Sequence, residues 1–292
     1  MSGPTKIEWA DFTWSPVTGC TKVSAGCAHY YAERQAKRFA GRAGYPAEHP
    51  FAVTLHPERL DEPLHWRKPR RIFVCSMSDL FHPDVDDGFI ADVWTVLDAC
   101  EQHRFLILTK RPERMASLTG IGDAGKLWRL PNVWLGTSVE DQSTADERIP
   151  NLLRCPAAVR FVSYEPALGP VDFGDNLVYL CGPTCTEAGL GINWVIAAGE
   201  SGPNARPCYL EWIRSVVGQC RRAGVPVFVK QLGRFPSSNQ PEGTFWEPLW
   251  ADKACTKLSG RYAPYGGLAH KGGNPADWPE DLRVQEYPNA YG

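Results

Sequence analysis

Cys20 and Cys27, with six residues between them, sit in the stretch GCTKVSAGC, a glycine-containing polar loop just ahead of a helical pattern. Burial does not account for thiols in such a loop, whereas soft thiolate is the ligand that iron and zinc sites prefer. Ten cysteines occur in all. The first residues, MSGPTKIEWADFTWSP, are broken by Lys6, Glu8 and Asp11, so they do not read as a secretory signal. No run of about 18 apolar residues follows that would span a bilayer. The expectation is therefore a cytoplasmic protein without membrane partners, in a reducing compartment where metal binding or catalysis outranks disulfides. Cys75, Cys100, Cys155 and Cys220 lie in apolar runs or on helical patterns and read as small packing residues. Cys181 and Cys185 in CGPTC form another close pair, but no second pair follows at zinc-knuckle spacing.

A second set of chemically capable residues follows a series of short apolar runs. RIFVC (71–75) leads to SMSD, RFLIL (104–108) to TKRPER, and VWLG (133–136) to TSVED. RFV (160–162) leads to SYEP, WVIA (194–197) to AGESG, and VFV (227–229) to KQ. Ser76, Ser78, Thr137 and Asp141 are good helix-capping types, which accounts for part of the pattern. It does not account for Lys110, Glu140, Glu165, Glu200 and Lys230, whose long charged side chains would converge on one mouth.

The elements that must position these groups follow from the same pattern. Each run is rich in Val, Ile or Phe and too short for a helix. Between them lie helical candidates at 88–103, 144–155 and 210–224, the last ending on Arg221, Arg222 and Gly224. Continuous apolar strands alternating with helices imply a parallel sheet covered by helices. Six such units predict an α/β fold of partial TIM-type barrel with about six parallel strands, a doubly wound sheet being the alternative. Ligands of such folds bind at the C-terminal strand ends. The expected organisation is a single domain over 1–292, with the barrel at 13–232 and a loop-rich C-terminal cap at 233–292.

Composition agrees with one large globular chain. Of 292 residues, 43% are hydrophobic and 22% charged, and 52 are Gly or Pro, so disorder and low complexity are excluded. A net charge of -2 excludes histone-like nucleic-acid binding but leaves room for local basic patches. Two exist: a helical stretch at 30–44 carrying Arg34, Lys37, Arg38 and Arg42, and HWRKPRR at 65–71. Either has the chemistry to contact phosphates; a solvated surface is the plainer reading.

The stretch TWSPVTGCTKVSAGCAHYYAE resembles the cysteine loop of a phage and bacterial three-Cys-motif family related to radical S-adenosylmethionine (radical SAM) enzymes. FVCSMSDLFHPDV, LTKRPERM, NVWLGTSVEDQSTADERIP, RFVSYEPALGPVD, INWVIAAGESGPNARP, AGVPVFVKQLG and DWPEDLRVQEYP resemble it as well, from residue 13 to about 288. The resemblance implies a 4Fe-4S cluster held by Cys20, Cys27 and the residue at position 30, with S-adenosylmethionine on the open iron. It implies Ser76, Ser78 and Asp79 around the cofactor's methionine end, and Ser138 and Glu140 at its ribose hydroxyls. Lys110, Arg111, Glu165, Glu200, Lys230 and Gln231 would then face the substrate. An electron donor and a three-Cys-motif partner protein are the partners it implies.

Position 30 departs from the pattern: the family has cysteine where this chain has Tyr30. A phenolate is a harder ligand, protonated at neutral pH unless a metal lowers its pKa from about 10. His29 is adjacent, and an imidazole ligand has precedent in Rieske-type clusters. Three readings stay open: a cluster with an unusual third ligand, a lineage that lost the cluster and kept the barrel, or a single-base change from a Cys codon. The leading functional expectation is a radical enzyme that abstracts hydrogen from a nucleic-acid base or nucleotide, the substrate class resting on the basic segments and tryptophans. The alternative is a cluster-deficient, non-catalytic binding protein of phage origin. A hydrolase or transferase using Glu200 and Lys230 without iron is a third.

Overall fold

Strands form where the apolar runs occur, and five of the six are longer than the runs. The computed structural model describes residues 2–119, 128–177, 191–237, 255–258, 261–264 and 272–288. Its strands are β1 (Gly3–Pro4), β2 (Phe12–Trp14), β3 (Val17–Thr18), β4 (Thr54–Leu55), β5 (Arg71–Val74), β6 (Arg104–Thr109) and β7 (Val133–Val139). They continue with β8 (Val159–Tyr164), β9 (Trp194–Ala198), β10 (Cys208–Tyr209), β11 (Val227–Gln231), β12 (Pro236–Ser237), β13 (Cys255–Leu258) and β14 (Arg261–Pro264). Helices α1 (Tyr31–Arg38), α2 (Asp87–Ala99), α3 (Pro112–Thr119), α4 (Gln142–Leu153) and α5 (Leu210–Ala223) lie between them. The chain is α/β with a mostly parallel sheet that does not close into a barrel.

Chain contacts divide the molecule into two compact units, Met1–Ser138 with Asp146–Val162, and Val139–Ala145 with Ser163–Gly292. In the first unit the strand order is β1-β2-β5-β6-β7-β8. The pairs β2/β5, β5/β6 and β6/β7 are parallel, and the two-residue β1 runs antiparallel to β2 at the edge. Strand β2 was not expected: Phe12-Thr13-Trp14 is too short to signal itself, yet it pairs Trp14 with Val74. Trp14 is fully buried, with its indole nitrogen donating to the Arg59 carbonyl at 2.8 Å. Ile72, Val74, Phe105, Leu106, Ile107 and Leu135 are buried to nothing, each contributing about 1.5–3 kcal/mol of transfer free energy.

Helix α2 starts where Asp86 accepts from the Phe89 amide at 2.9 Å. It buries Phe89, Ile90, Val93, Trp94 and Leu97 on one face. Helix α1 is shorter than the expected 30–44. It ends at Arg38, because Gly41, Ala43 and Gly44 take positive φ angles of 70°, 51° and 80°.

In the second unit β9 and β11 are parallel neighbours, with Val195 opposite Val227. Helix α5 buries Leu210, Ile213, Val216, Val217 and Cys220 and stops at Gly224, which is left-handed at φ 68°. Of the expected C-terminal cap, the described segment 272–288 closes on β11: the Val229 amide donates to Val284 and Trp194 donates to the Glu286 carbonyl. β10 pairs with β12, and β13 with β14. Cys181 and Cys185 lie outside the described residues. No helix among those described is long and apolar enough to cross a membrane.

Candidate functional site

The cysteine loop leaves the C-terminal end of β2 and is held down along its length. Strand β3 pairs antiparallel with β4, and Thr18 shares a buried 2.8 Å hydrogen bond with His56. Gly19 then bridges to Ser78 beside β5, and the Ser78 hydroxyl donates to the Val17 carbonyl at 2.6 Å. Only glycine suits position 19: its φ is 80°, and a Cβ there would lie 2.1 Å from the Ala52 carbonyl oxygen. The Cys20 amide donates to the Phe51 carbonyl.

Asp79 organises the other wall. Its carboxylate accepts from the Thr109 hydroxyl at 2.7 Å, from the amides of Phe81 and Lys110, and from Arg111 at 2.9 Å. Arg111 continues into the loop, donating to the Thr21 carbonyl and hydroxyl and, at 3.6 Å, to the Cys20 sulfur. The Thr21 hydroxyl also meets His82 at 2.7 Å. Asp79, expected near a cofactor, and Arg111, expected to face substrate, thus form a nearly buried ion pair that clamps the loop to the ends of β5 and β6.

Cys20, Cys27 and Tyr30 come within electrostatic reach of one another. Burial pushes the Cys20 thiol up, Asp79 adds to that, and Arg111 opposes it. Cys27 lies 3.8 Å from the Ser24 hydroxyl. Tyr30 turns its hydroxyl inward onto the Ser76 carbonyl at 3.3 Å, and Tyr31 donates to the same oxygen at 2.6 Å. The Tyr30 ring packs edge-on against Tyr31 and Phe51. Burial, first, and then the neighbouring Tyr31, Cys20, Asp79 and Cys27 raise its pKa well above the ordinary phenol value.

The loop therefore offers two thiols and a phenol whose hydroxyl donates to the Ser76 carbonyl. That donor set does not match a three-thiolate 4Fe-4S cluster, because the third position carries a hard oxygen donor in place of sulfur. Among the described residues no group of three or more His, Cys, Asp or Glu is placed to hold a metal ion. Cys75, Cys100, Cys155, Cys208 and Cys220 are buried packing residues. Burial lifts Cys75, Cys208 and Cys220 to about 12 and Cys155 to about 11.

The other expected site residues are distributed between the units. In the first, Lys110 follows β6, and Ser138 is an internal residue of β7, its carbonyl accepting from Arg148 at 2.8 Å. In the second, Glu140 is fully buried just past β7; the Glu200 hydrogen bonds, first, and then Glu140 raise the Arg206 pKa above its ordinary value. Glu200 is closed by Arg206, which donates to it from Nε, Nη2 and its own amide at 2.7–2.8 Å. Glu165 pairs with Lys230 at 2.7 Å, and the Gln231 amide donates to the Gly199 carbonyl. Thr21, Thr109 and His82 were not singled out from sequence, although the last two sit in the motif stretches that follow β5 and end β6.

The basic segments separate as well. HWRKPRR precedes β5, at the N-terminal strand edge away from the cysteine loop, and Arg71 is paired with Asp11 while Arg70 lies over Phe12. Helix α1, by contrast, follows the loop directly.

A family described as a protein of unknown function, DUF5131, matches residues 4–269. The chain belongs to the DUF5131 family. No curated protein matches it. Solved structures similar to this DUF5131 chain include spore photoproduct lyase complexed with dinucleoside spore photoproduct. That structure is 12% identical, covers 57% of this chain and 48% of its own, and has a TM-score of 0.40. A double mutant of that lyase with bound AdoMet and dinucleoside spore photoproduct gives the same figures. The chain thus spans about half the length of these structures.

Proposed function

We propose that this chain is a radical-SAM-like protein that acts by binding rather than by radical chemistry. Its motif resemblance points to an iron-sulfur cluster and S-adenosylmethionine, and its cysteine loop leaves the C-terminal strand edge where such cofactors sit. The observation that carries the binding reading is Tyr30, an oxygen donor where a third thiolate is expected, whose hydroxyl is committed to the Ser76 carbonyl. Two further observations agree with it. Asp79 and Ser78, expected at the cofactor, have their polar atoms committed to loop contacts. Glu200, expected at the substrate, is neutralised by Arg206.

A nucleotide or nucleic acid is the ligand class that the α1 cations favour. The test is anaerobic reconstitution with iron and sulfide. The wild-type chain is expected to show no broad thiolate-to-iron absorption and to retain little iron. Tyr30→Cys is expected to acquire both, and Cys27→Ala in that background to lose them. Close to four irons and four sulfides in the wild-type chain would overturn the reading. It would restore the radical enzyme with an unusual third ligand.

A further inference from the structure

We propose that the exposed face of α1, together with the rim of the cysteine loop, is a binding surface for single-stranded nucleic acid. The face is defined by burial: Ala32 and Ala36 are fully buried, so the opposite side of the helix presents Tyr31, Arg34, Lys37 and Arg38. Lys22 from the loop and Arg42 beyond the helix extend it. Glu33 is the one acid among them, and it is taken up by Lys22 at 2.9 Å and Lys37 at 3.0 Å. Five cations against one carboxylate make a local positive surface on a chain whose net charge is -2. Arg34 and Arg38 are one turn apart, about 6 Å along the axis. That is close to two phosphate steps of roughly 3.4 Å on a stacked strand.

Tyr31 distinguishes a single strand from a generic polyanion. Its hydroxyl is anchored on the Ser76 carbonyl and its ring meets Tyr30 edge-on, yet the residue is 41% exposed. A ring so fixed, beside arginines, is a ready platform for an unpaired base. Val23, 46% exposed, is at the same rim; of the large hydrophobic side chains exposed among the described residues, only Leu64 lies elsewhere. The other basic segment lacks this combination, its Arg70 and Arg71 being engaged.

This inference names a partner for the binding reading above, and it does not depend on iron. The test is fluorescence anisotropy with a labelled single-stranded oligonucleotide and its duplex, across rising salt. The wild-type chain is expected to prefer the single strand. Arg34→Gln with Arg38→Gln is expected to weaken binding at least tenfold and to flatten the log–log salt slope by about 1.4, two phosphate contacts' worth. Tyr31→Ala is expected to cost roughly 5- to 150-fold on the single strand and little on the duplex. Arg67→Gln with Lys68→Gln is expected to leave affinity unchanged.

The proposal is overturned by absence of oligonucleotide binding at low salt. Equal weakening by the Arg67/Lys68 variant also overturns it. So does Arg34/Arg38-dependent binding to phosphatidylserine vesicles without binding to the oligonucleotide. Iron content measured on the same samples keeps the two readings apart: a wild-type chain that binds four irons and still uses α1 sinks only the binding-protein reading.

Discussion

At the residue scale the decisive group in the loop is Arg111, because it touches both the carboxylate of Asp79 and the sulfur of Cys20. A charge so placed has a sign that experiment can read. Arg111 lowers the Cys20 thiol pKa and Asp79 raises it, on top of the larger upward push from burial. Arg111→Met should therefore shift the pH midpoint for alkylation of Cys20 upward, and Asp79→Asn should shift it downward, as followed by peptide mass spectrometry. Simple loosening of the loop would bring both variants toward the ordinary thiol value instead, so shifts of the same sign would refute the electrostatic account. The pair is nearly buried, and removing Arg111 leaves Asp79 without its cation. Urea unfolding of Arg111→Met should show a loss of about 3–5 kcal/mol.

At the element scale the loop depends on Gly19, the hinge between β3 and Cys20. Gly19→Ala forces a Cβ against the Ala52 carbonyl and imposes a left-handed conformation on alanine. The strain should cost about 1–3 kcal/mol in urea unfolding and speed alkylation of Cys20 as the loop lifts; unchanged alkylation would mean the loop is held elsewhere. Apolar runs located the centres of β5, β6, β7, β8, β9 and β11 but, β5 apart, stopped short of their ends. Thr109, Ser138, Lys230 and Gln231 are polar and read as loop, yet they lie within strands, with Thr109 opposite Thr137 and Gln231 opposite Ala198. Backbone pairing continues past the point where hydrophobicity stops signalling it. The spacing of Cys20 and Cys27 and the strand-end charges were likewise legible. Their partners were not: Asp79 and Arg111 are 32 residues apart, and a linear sequence does not show that one consumes the other. Tyr30 could be noticed by its position, but only the tertiary structure turns its hydroxyl onto the carbonyl of Ser76.

At the scale of the whole molecule, the first unit carries three histidines whose protonation opposes folding. His56, His82 and His103 are all nearly or fully buried, and burial is the largest cause lowering each of their pKa values. Arg59 adds to the effect at His56, Arg111 at His82 and Arg70 at His103. In the unfolded chain these imidazoles regain a pKa of about 6.5. Below that pH the unfolded state binds more protons than the native one, so stability rises with pH and falls on acidification. The stabilisation from keeping them neutral is complete above the unfolded value and is lost as pH drops through the lowered native values. The urea midpoint should consequently be lower at pH 5.5 than at pH 7.5, a window in which most carboxylates keep their charge. His82→Gln retains a neutral hydrogen-bonding group for Thr21 and removes one titrating site. It should narrow the difference between the two pH values, even if it lowers stability at both. A midpoint independent of pH in the wild-type chain, or a His82→Gln difference as wide as the wild type, would show that these histidines are not what acid acts upon.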